Sequence, residues 1–425
     1  MPEVRRNWKA PFFTIWIGQQ FSLIGSQLVQ FALVWWLTKT TGSATVLATA
    51  TMVAILPQVI IGPFSGALVD RFSRRTVMIV ADGAIGLASA WLAYMYFSGA
   101  VAVWHIYLIM AVRAIGSGFH WPAMAASTSL MVPDCHLTRV AGLNQTMQGV
   151  TNIIAPPLGA IFLAILPMYG ILGIDVATAA IAIFPLFFIP IPQPVRTATE
   201  VRPSYLSEVK EGFSYVWRWK GLLWIIGGAM LINFAVDPAF SLLPLLVRKH
   251  FGGEALQLSW LESAFGAGVV LGGVLLSVWG GFRRRVFTSL FGIVGMGAGI
   301  LFLGLLPGSG LWYAIGTLLV VGLMNPLANG PLIAILQSTV APEIQGRILS
   351  LLGSLVTAMS PLSLAIAGPV ADLLGIRFWY VLGGATMLAA GIGAFFVPAI
   401  IHLEDGRGAL EEPVSEDSKI GSATG

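Results

Sequence analysis

Charge is scarce in this 425-residue chain: Asp, Glu, Lys and Arg together make up 10% of it, against 56% hydrophobic residues. A soluble domain carries about 25% charged residues, and no soluble fold has enough interior to hide so much apolar surface. Cysteine is nearly absent too. With Cys135 as the sole thiol, no intrachain disulfide and no cysteine-based metal site can form. No Lys follows a Gly, so the Gly-Lys-Ser/Thr loop that cradles nucleotide phosphates is missing and direct ATP drive is not expected. The apolar segments hold no nucleophile–base pair and no metal-ligating cluster, which argues against an enzyme. Neither a cofactor nor a metal is expected. His105 and His120 lack metal-like partners and are read as interface or packing residues.

Long apolar runs take the place of these features. Runs of about 20 or more largely apolar residues are long enough to span a bilayer, and the chain has twelve: 12–38, 45–69, 77–97, 104–128, 141–166 and 171–190, then 222–247, 258–281, 286–306, 311–336, 348–373 and 378–400. The first follows Arg5, Arg6 and Lys9 as a signal peptide would. It is too long for a signal h-region, contains several Gln and lacks a small-x-small cleavage site, so it reads as a retained helix. The fold class is therefore an all-α membrane protein with twelve transmembrane helices.

Loop charge sets an orientation, because Lys and Arg are held on the cytoplasmic side. One set of alternate loops, with both termini, holds 18 of the basic residues, and the other set holds only Lys39, Arg248, Lys249 and Arg377. Arg113 alone lies inside a run. Both termini are expected in the cytoplasm, in a multi-pass protein of the cell membrane. The net charge of +4 follows from this bias and implies no nucleic-acid partner. The partners expected are the lipid bilayer and a small-molecule substrate, with the chain a monomer.

The two sets of six runs repeat one another. Shifted by 209, Arg74 falls on Arg283, Arg75 on Arg284, Gly83 on Gly292 and Gly86 on Gly295. The same shift carries Pro122 onto Pro331, Ala125 onto Ala334, Ser129 onto Ser338 and Pro133 onto Pro342. Two homologous halves in tandem are a common build of secondary transporters. The domains expected are a six-helix bundle over 1–192, a cytoplasmic linker over 193–221, a second bundle over 222–403 and a disordered tail over 404–425. The linker opens with Pro190, Pro192 and Pro194 nearby. Its segment from Tyr205 to Lys220 spaces apolar residues helically with basic ones between, as an amphipathic helix on the inner leaflet does. The tail is acidic and contains Gly and Ser.

Between the second and third runs stands Gly66-Ala-Leu-Val-Asp70-Arg71-Phe-Ser-Arg74-Arg75. It resembles the signature of the major facilitator superfamily, matching at Gly66, Leu68, Asp70, Arg71, Arg74 and Arg75, with Ser73 where the family usually has Gly. The resemblance covers nearly the whole chain and implies two six-helix bundles that open a central cavity alternately to each side. Val132-Pro-Asp-Cys-His-Leu-Thr-Arg139 and Pro244-Leu-Leu-Val resemble the macrolide-efflux branch of drug:proton antiporters. Ala155-Pro156-Pro157-Leu158-Gly159-Ala160 resembles the family's antiporter element, with Ala155 and Ala160 in place of Gly. A plain proline kink explains it as well.

The resemblance implies that Asp70 faces the N-terminal end of the eleventh helix, near Arg347 to Ser350, where free N–H groups favour an anion. That contact would latch the cytoplasmic side. Arg71, Arg74 and Arg75 also serve as topology anchors, and the residues alone do not separate the two roles. Arg113 matches the arginine the family places in its fourth helix, which implies proton transfer or substrate binding.

Ionisable groups inside a membrane are costly and point to function. Asp237, roughly 15 Å from the outer end of the seventh run at 1.5 Å per residue, is the leading proton-coupling candidate, with Glu262 second and Asn233 one turn from Asp237. Pro238 leaves open that Asp237 only satisfies a kink. Asp82, Asp175 and Asp372 lie near run ends and are read as interfacial. Gln19, Ser22, Ser26 and Gln30 form one polar stripe; Asn144, Gln145, Gln148, Thr151 and Asn152 form another. Amides are hidden from lipid, so the stripes either line a cavity for a bulky amphipathic substrate or bond between helices. The function expected is proton-coupled export of a hydrophobic or amphipathic compound such as a macrolide, with siderophore export, lipid flipping or, less so, membrane sensing as alternatives.

Overall fold

The computed structural model describes residues 8–69, 71–193, 219–340, 342–402 and 404. Twelve long helices follow one another: α1 Lys9–Thr41, α2 Ala44–Val69, α3 Arg74–Phe97, α4 Val103–Met131, α5 Asp134–Ile165 and α6 Met168–Phe188, then α7 Lys220–Ser241, α8 Ala255–Trp279, α9 Arg285–Leu305, α10 Leu311–Thr339, α11 Pro342–Leu374 and α12 Arg377–Ala394. Ten candidate spans by length and apolarity lie among them, α4 and α12 being the two outside that set. The offset of 209 holds helix by helix: it carries α5 onto 343–374, against Pro342–Leu374 for α11.

Helix ends follow local chemistry. α1 stops at Gly42, which takes a left-handed φ of 58° and returns its N–H to the Thr38 carbonyl. The seventh run, expected to be one helix, breaks at Leu242 into α7 and a short helix Leu243–Lys249. Pro244 explains this, since it has no N–H to donate and its ring displaces the carbonyl four residues back. The last run likewise breaks, and a short helix Pro398–Ile401 follows α12. Glu404, expected to begin a disordered tail, instead accepts a hydrogen bond from the Val286 N–H at the start of α9, at 2.6 Å. The residues after it, and the amphipathic segment 205–218, lie outside the described residues.

In the first bundle α1 packs on α5 and α6, α2 on α4, and α3 on α4 and α6. In the second, α7 packs on α11 and α12, α9 on α10 and α12, and α8 on α10. Two antiparallel seams join the bundles, α2 against α11 and α5 against α8. We call the face carrying Trp8 and Glu404 the near face and its opposite the far face.

Candidate transport site

Asp237 sits in the last two turns of α7, and with Asn233 it lines a cavity of about 700 Å³ that runs between α7, α9, α10 and α12 toward Ile400. That volume lies within the ~300–1,000 Å³ of ordinary ligand sites. Leu231, Ile232, Phe240, Ile293, Met296 and Leu332 make the walls mainly apolar, and Asn325 and Asn329 add amides. Asp237 accepts a hydrogen bond from the Ser360 hydroxyl of α11. Asn233 donates back to the Ala229 carbonyl, at 2.9 Å. Glu262, half-buried in α8, forms no hydrogen bond or ion pair among the described residues.

The first bundle is built otherwise. Asp175, expected at an interface, is 1% exposed and pairs with Arg113 at 2.5 Å. Ser89 donates to the same carboxylate oxygen of Asp175 at 2.6 Å and Ser26 to the other at 3.1 Å. Arg113 also donates to the Ser26 carbonyl, at 2.8 Å. Arg113 and Asp237, similar in depth, thus lie in different bundles. Asp82, also expected at an interface, is 5% exposed and accepts from the Gln19 amide at 3.0 Å. His120, read as packing, stands 3.5 Å from Asp82 and 2.8 Å from the Gln19 amide oxygen. His105 does pack, against Trp104 at a tilt and edge-on against Trp91. Two turns of helix hide Asp82 and Asp175 because neighbouring helices cover them, which distance from a run end does not reveal.

The polar stripes divide. On α1, Gln19 and Ser26 turn into the first bundle, so they serve helix–helix bonding, and Gln30 is half-buried without a hydrogen bond among the described residues. On α5, Asn144 accepts from the Trp16 indole at 2.7 Å, and Gln148 donates to Asn152 at 3.1 Å. None of these six lines the 700 Å³ cavity.

Hydrogen bonds join the bundles in the far half. Ser263 of α8 donates to the Ile153 carbonyl of α5 at 2.8 Å, and Ser241 to Thr51 of α2 at 2.9 Å. Asp372, the third acid expected at an interface, ends α11 as a cap on another helix. Its carboxylate accepts from the Ala44 and Thr45 N–H groups at 3.0 and 3.1 Å and from the Ser43 and Thr45 hydroxyls. The α2 N-terminus supplies free donors and a positive dipole end, which suit an anion. Gly368 makes this approach possible, since a Cβ there would meet the Thr45 backbone. At the near face, Asp70 lies outside the described residues, so its expected latch does too; Arg75 donates to the Phe187 carbonyl at 2.6 Å.

Residues 15–364 match the profile of the Major Facilitator Superfamily. The chain belongs to that superfamily. Among curated relatives, macrolide efflux protein A of Streptococcus pyogenes is 34% identical over 390 residues, covering 92% of this chain and 96% of that one. The multidrug efflux pump Tap of Mycobacterium tuberculosis (strain ATCC 25618 / H37Rv) is 25% identical over 440 residues, covering 99% and 100%. A bacterial homologue of the iron transporter ferroportin in an inward-facing state shares the fold with a TM-score of 0.70 at 14% identity, covering 93% of this chain and 98% of that one. A D-xylose–proton symporter does so with 0.68 at 16%, covering 90% and 98%. The transporter fold expected from the sequence is thereby established, with two six-helix bundles in a multi-pass membrane protein.

Proposed function

We propose that the chain exports hydrophobic or amphipathic small molecules of the macrolide type, in exchange for protons, by alternating access. The observation that carries this reading is the apolar 700 Å³ cavity with Asp237, Asn325 and Asn329 in its wall. Such a surface suits a bulky molecule with a few polar groups, and the names of the efflux relatives point the same way. The positive-inside bias makes the near face cytoplasmic, so that closure at Asp372 shuts the external side and the cavity loads from within. Proton coupling uses the ionisable groups that the membrane buries, with Asp237, Glu262 and Arg113 the candidates read from sequence. Substrate and proton then compete across one conformational equilibrium, and the coupling is reciprocal.

The test is uptake of labelled erythromycin into inside-out vesicles under an imposed proton gradient, with and without a protonophore. Gradient-dependent uptake that collapses with the protonophore is expected. Uptake that ignores the gradient would remove antiport, and none at all from folded protein would direct the search to siderophores and lipids.

A further inference from the structure

Three helices of the first bundle each contribute two polar residues seven positions apart: Gln19 and Ser26 on α1, Asp82 and Ser89 on α3, Arg113 and His120 on α4. Seven residues are about two turns, or roughly 10 Å of helix. The spacing stacks two polar layers inside the bundle. The layer toward the far face holds Ser26, Ser89 and Arg113, joined by Asp175 from α6. The layer toward the near face holds Gln19, Asp82 and His120.

The two layers are electrically different. In the far one, the fixed positive charge of Arg113 meets Asp175 at 2.5 Å, and hydroxyls fill the remaining carboxylate positions. Both charges are matched and both carboxylate oxygens accept hydrogen bonds. In the near one, Asp82 has a single short donor, the Gln19 amide at 3.0 Å, and no fixed cation. His120 stands 3.5 Å away, but its Nε2 is engaged by the Gln19 oxygen at 2.8 Å, and it is a cation only when protonated. The other ionisable groups of the bundle are remote from this layer. Arg113 and Asp175 are two turns off on the far side, and Arg74 and Arg75, at the start of α3, are two turns off on the near side, Arg75 donating to the Phe187 carbonyl. α2 carries none among its described residues, and those of α5 (Asp134, His136, Arg139) sit at its near end. An unpaired carboxylate so buried is costly, and one proton on either Asp82 or His120 removes the charge.

We propose that the Gln19–Asp82–His120 layer binds and releases the coupled proton, while the Arg113–Asp175 layer is a fixed counterpart. This rests on the antiport reading above and relocates its proton from the seventh and eighth helices to the first bundle. With the proton bound, the layer is neutral and tolerates enclosure. Release to water leaves one negative charge shared by Asp82 and its donors, which favours the arrangement in which His120 is wetted. His120 is 20% exposed on its side chain against 6% for Asp82, so the imidazole is the route by which the proton reaches water. Gln19 orients both partners, donating to one and accepting from the other.

Infrared difference spectra between acidic and neutral pH, on the full chain in liposomes, test the site without any substrate. The wild type is expected to show a titrating band from a carboxyl or an imidazole. Asp82→Asn should remove the carboxyl band or, if the proton sits on the ring, move the imidazole band; His120→Gln should shift the midpoint of what remains. Asp175→Asn and Asp237→Asn should leave the near-layer signal in place. A spectrum unchanged by both Asp82→Asn and His120→Gln, or a wild type with no titrating band, overturns the proposal. In vesicles, Asp82→Asn should cut gradient-driven erythromycin uptake about tenfold or more while binding changes less than about twofold. If the bands behave as expected but no gradient drives uptake, the proton site stands and the antiport reading fails. If uptake is gradient-driven but Asp82→Asn and His120→Gln both sustain it, the site fails and antiport stands.

Discussion

At the offset of 209 that relates the halves, Arg113 corresponds to Gly322 and Asp175 to Gly384. One bundle holds a buried ion pair where the other holds two glycines. A Cβ on Gly322 would meet the Phe265 carbonyl oxygen of α8, and one on Gly384 would meet the backbone of Leu301 in α9. The second bundle therefore closes α8 on α10 and α9 on α12 by direct backbone approach, as small residues allow in a bilayer. The first keeps its helices apart and fills the gap with charge and hydrogen bonds. The same exchange recurs at Gln19 and Gly228, Ser26 and Ala235, and Asp82 and Phe291. It also runs in reverse, since Asp237 corresponds to Leu28 and Glu262 to Val53. One ancestral plan has thus been specialised by moving its polar interior into one half and its apolar cavity into the other.

The strongest way to break this contrast is to strip one charge from the first bundle. Arg113→Met leaves Asp175 buried without its cation and should cost ~3–5 kcal/mol. Thermal unfolding in detergent would show a large drop in midpoint. Arg113→Met combined with Asp175→Leu should recover most of it, and a double variant as unstable as the single one would show that the pair does more than balance charge. Next in size is Asp372→Ala, which frees the Ala44 and Thr45 N–H groups of α2. Charge-assisted bonds of this kind are worth ~1.5–3 kcal/mol, enough to shift the far-side equilibrium about tenfold or more toward open. In a Cys135→Ser background, a cysteine substituted for Val370 should then react faster with an impermeant maleimide; an unchanged rate would deny the latch.

Gly83 and Gly292 share one place in the repeat and give a matched pair. Gly292→Ala pushes a methyl into the Ala328 backbone and should cost ~1–3 kcal/mol. Gly83→Ala meets nothing within 4 Å and should gain ~0.5–1 kcal/mol from helix preference alone. Equal effects in unfolding measurements would mean that the bundles pack alike. A similarly small effect is expected from Ser360→Ala, which removes one hydrogen bond from Asp237 at ~0.5–1.5 kcal/mol. It should alter erythromycin uptake by less than about tenfold and lower the midpoint of unfolding only slightly.

The helices were legible because apolar runs must match the bilayer thickness, and the repeat was legible because prolines and arginines recur at one offset. The site was only partly legible. Arg113 and Asp237 stood out as charges deep in apolar runs, and Asn233 lines the cavity beside Asp237. Asp82 and Asp175 were misjudged because depth along a run was taken for burial, which depends on what covers a helix sideways. His120 was read as packing because its partners, Gln19 and Asp82, come from other helices. The seven-residue spacing of polar pairs on α1, α3 and α4 was the signal that could have exposed the layers.

What the sequence alone determined is what its one-dimensional pattern encodes. That covers membrane residence, twelve long helices, two related halves and superfamily membership, since each rests on hydropathy, charge bias or motif at fixed spacing. Which carboxylate meets which cation, which glycine admits a backbone and which helix end Asp372 caps were decided only by the tertiary structure. Those outcomes depend on the rotation and lateral neighbours of each helix, and segments as uniformly apolar as these carry almost no periodic signal to say which side faces protein and which faces lipid.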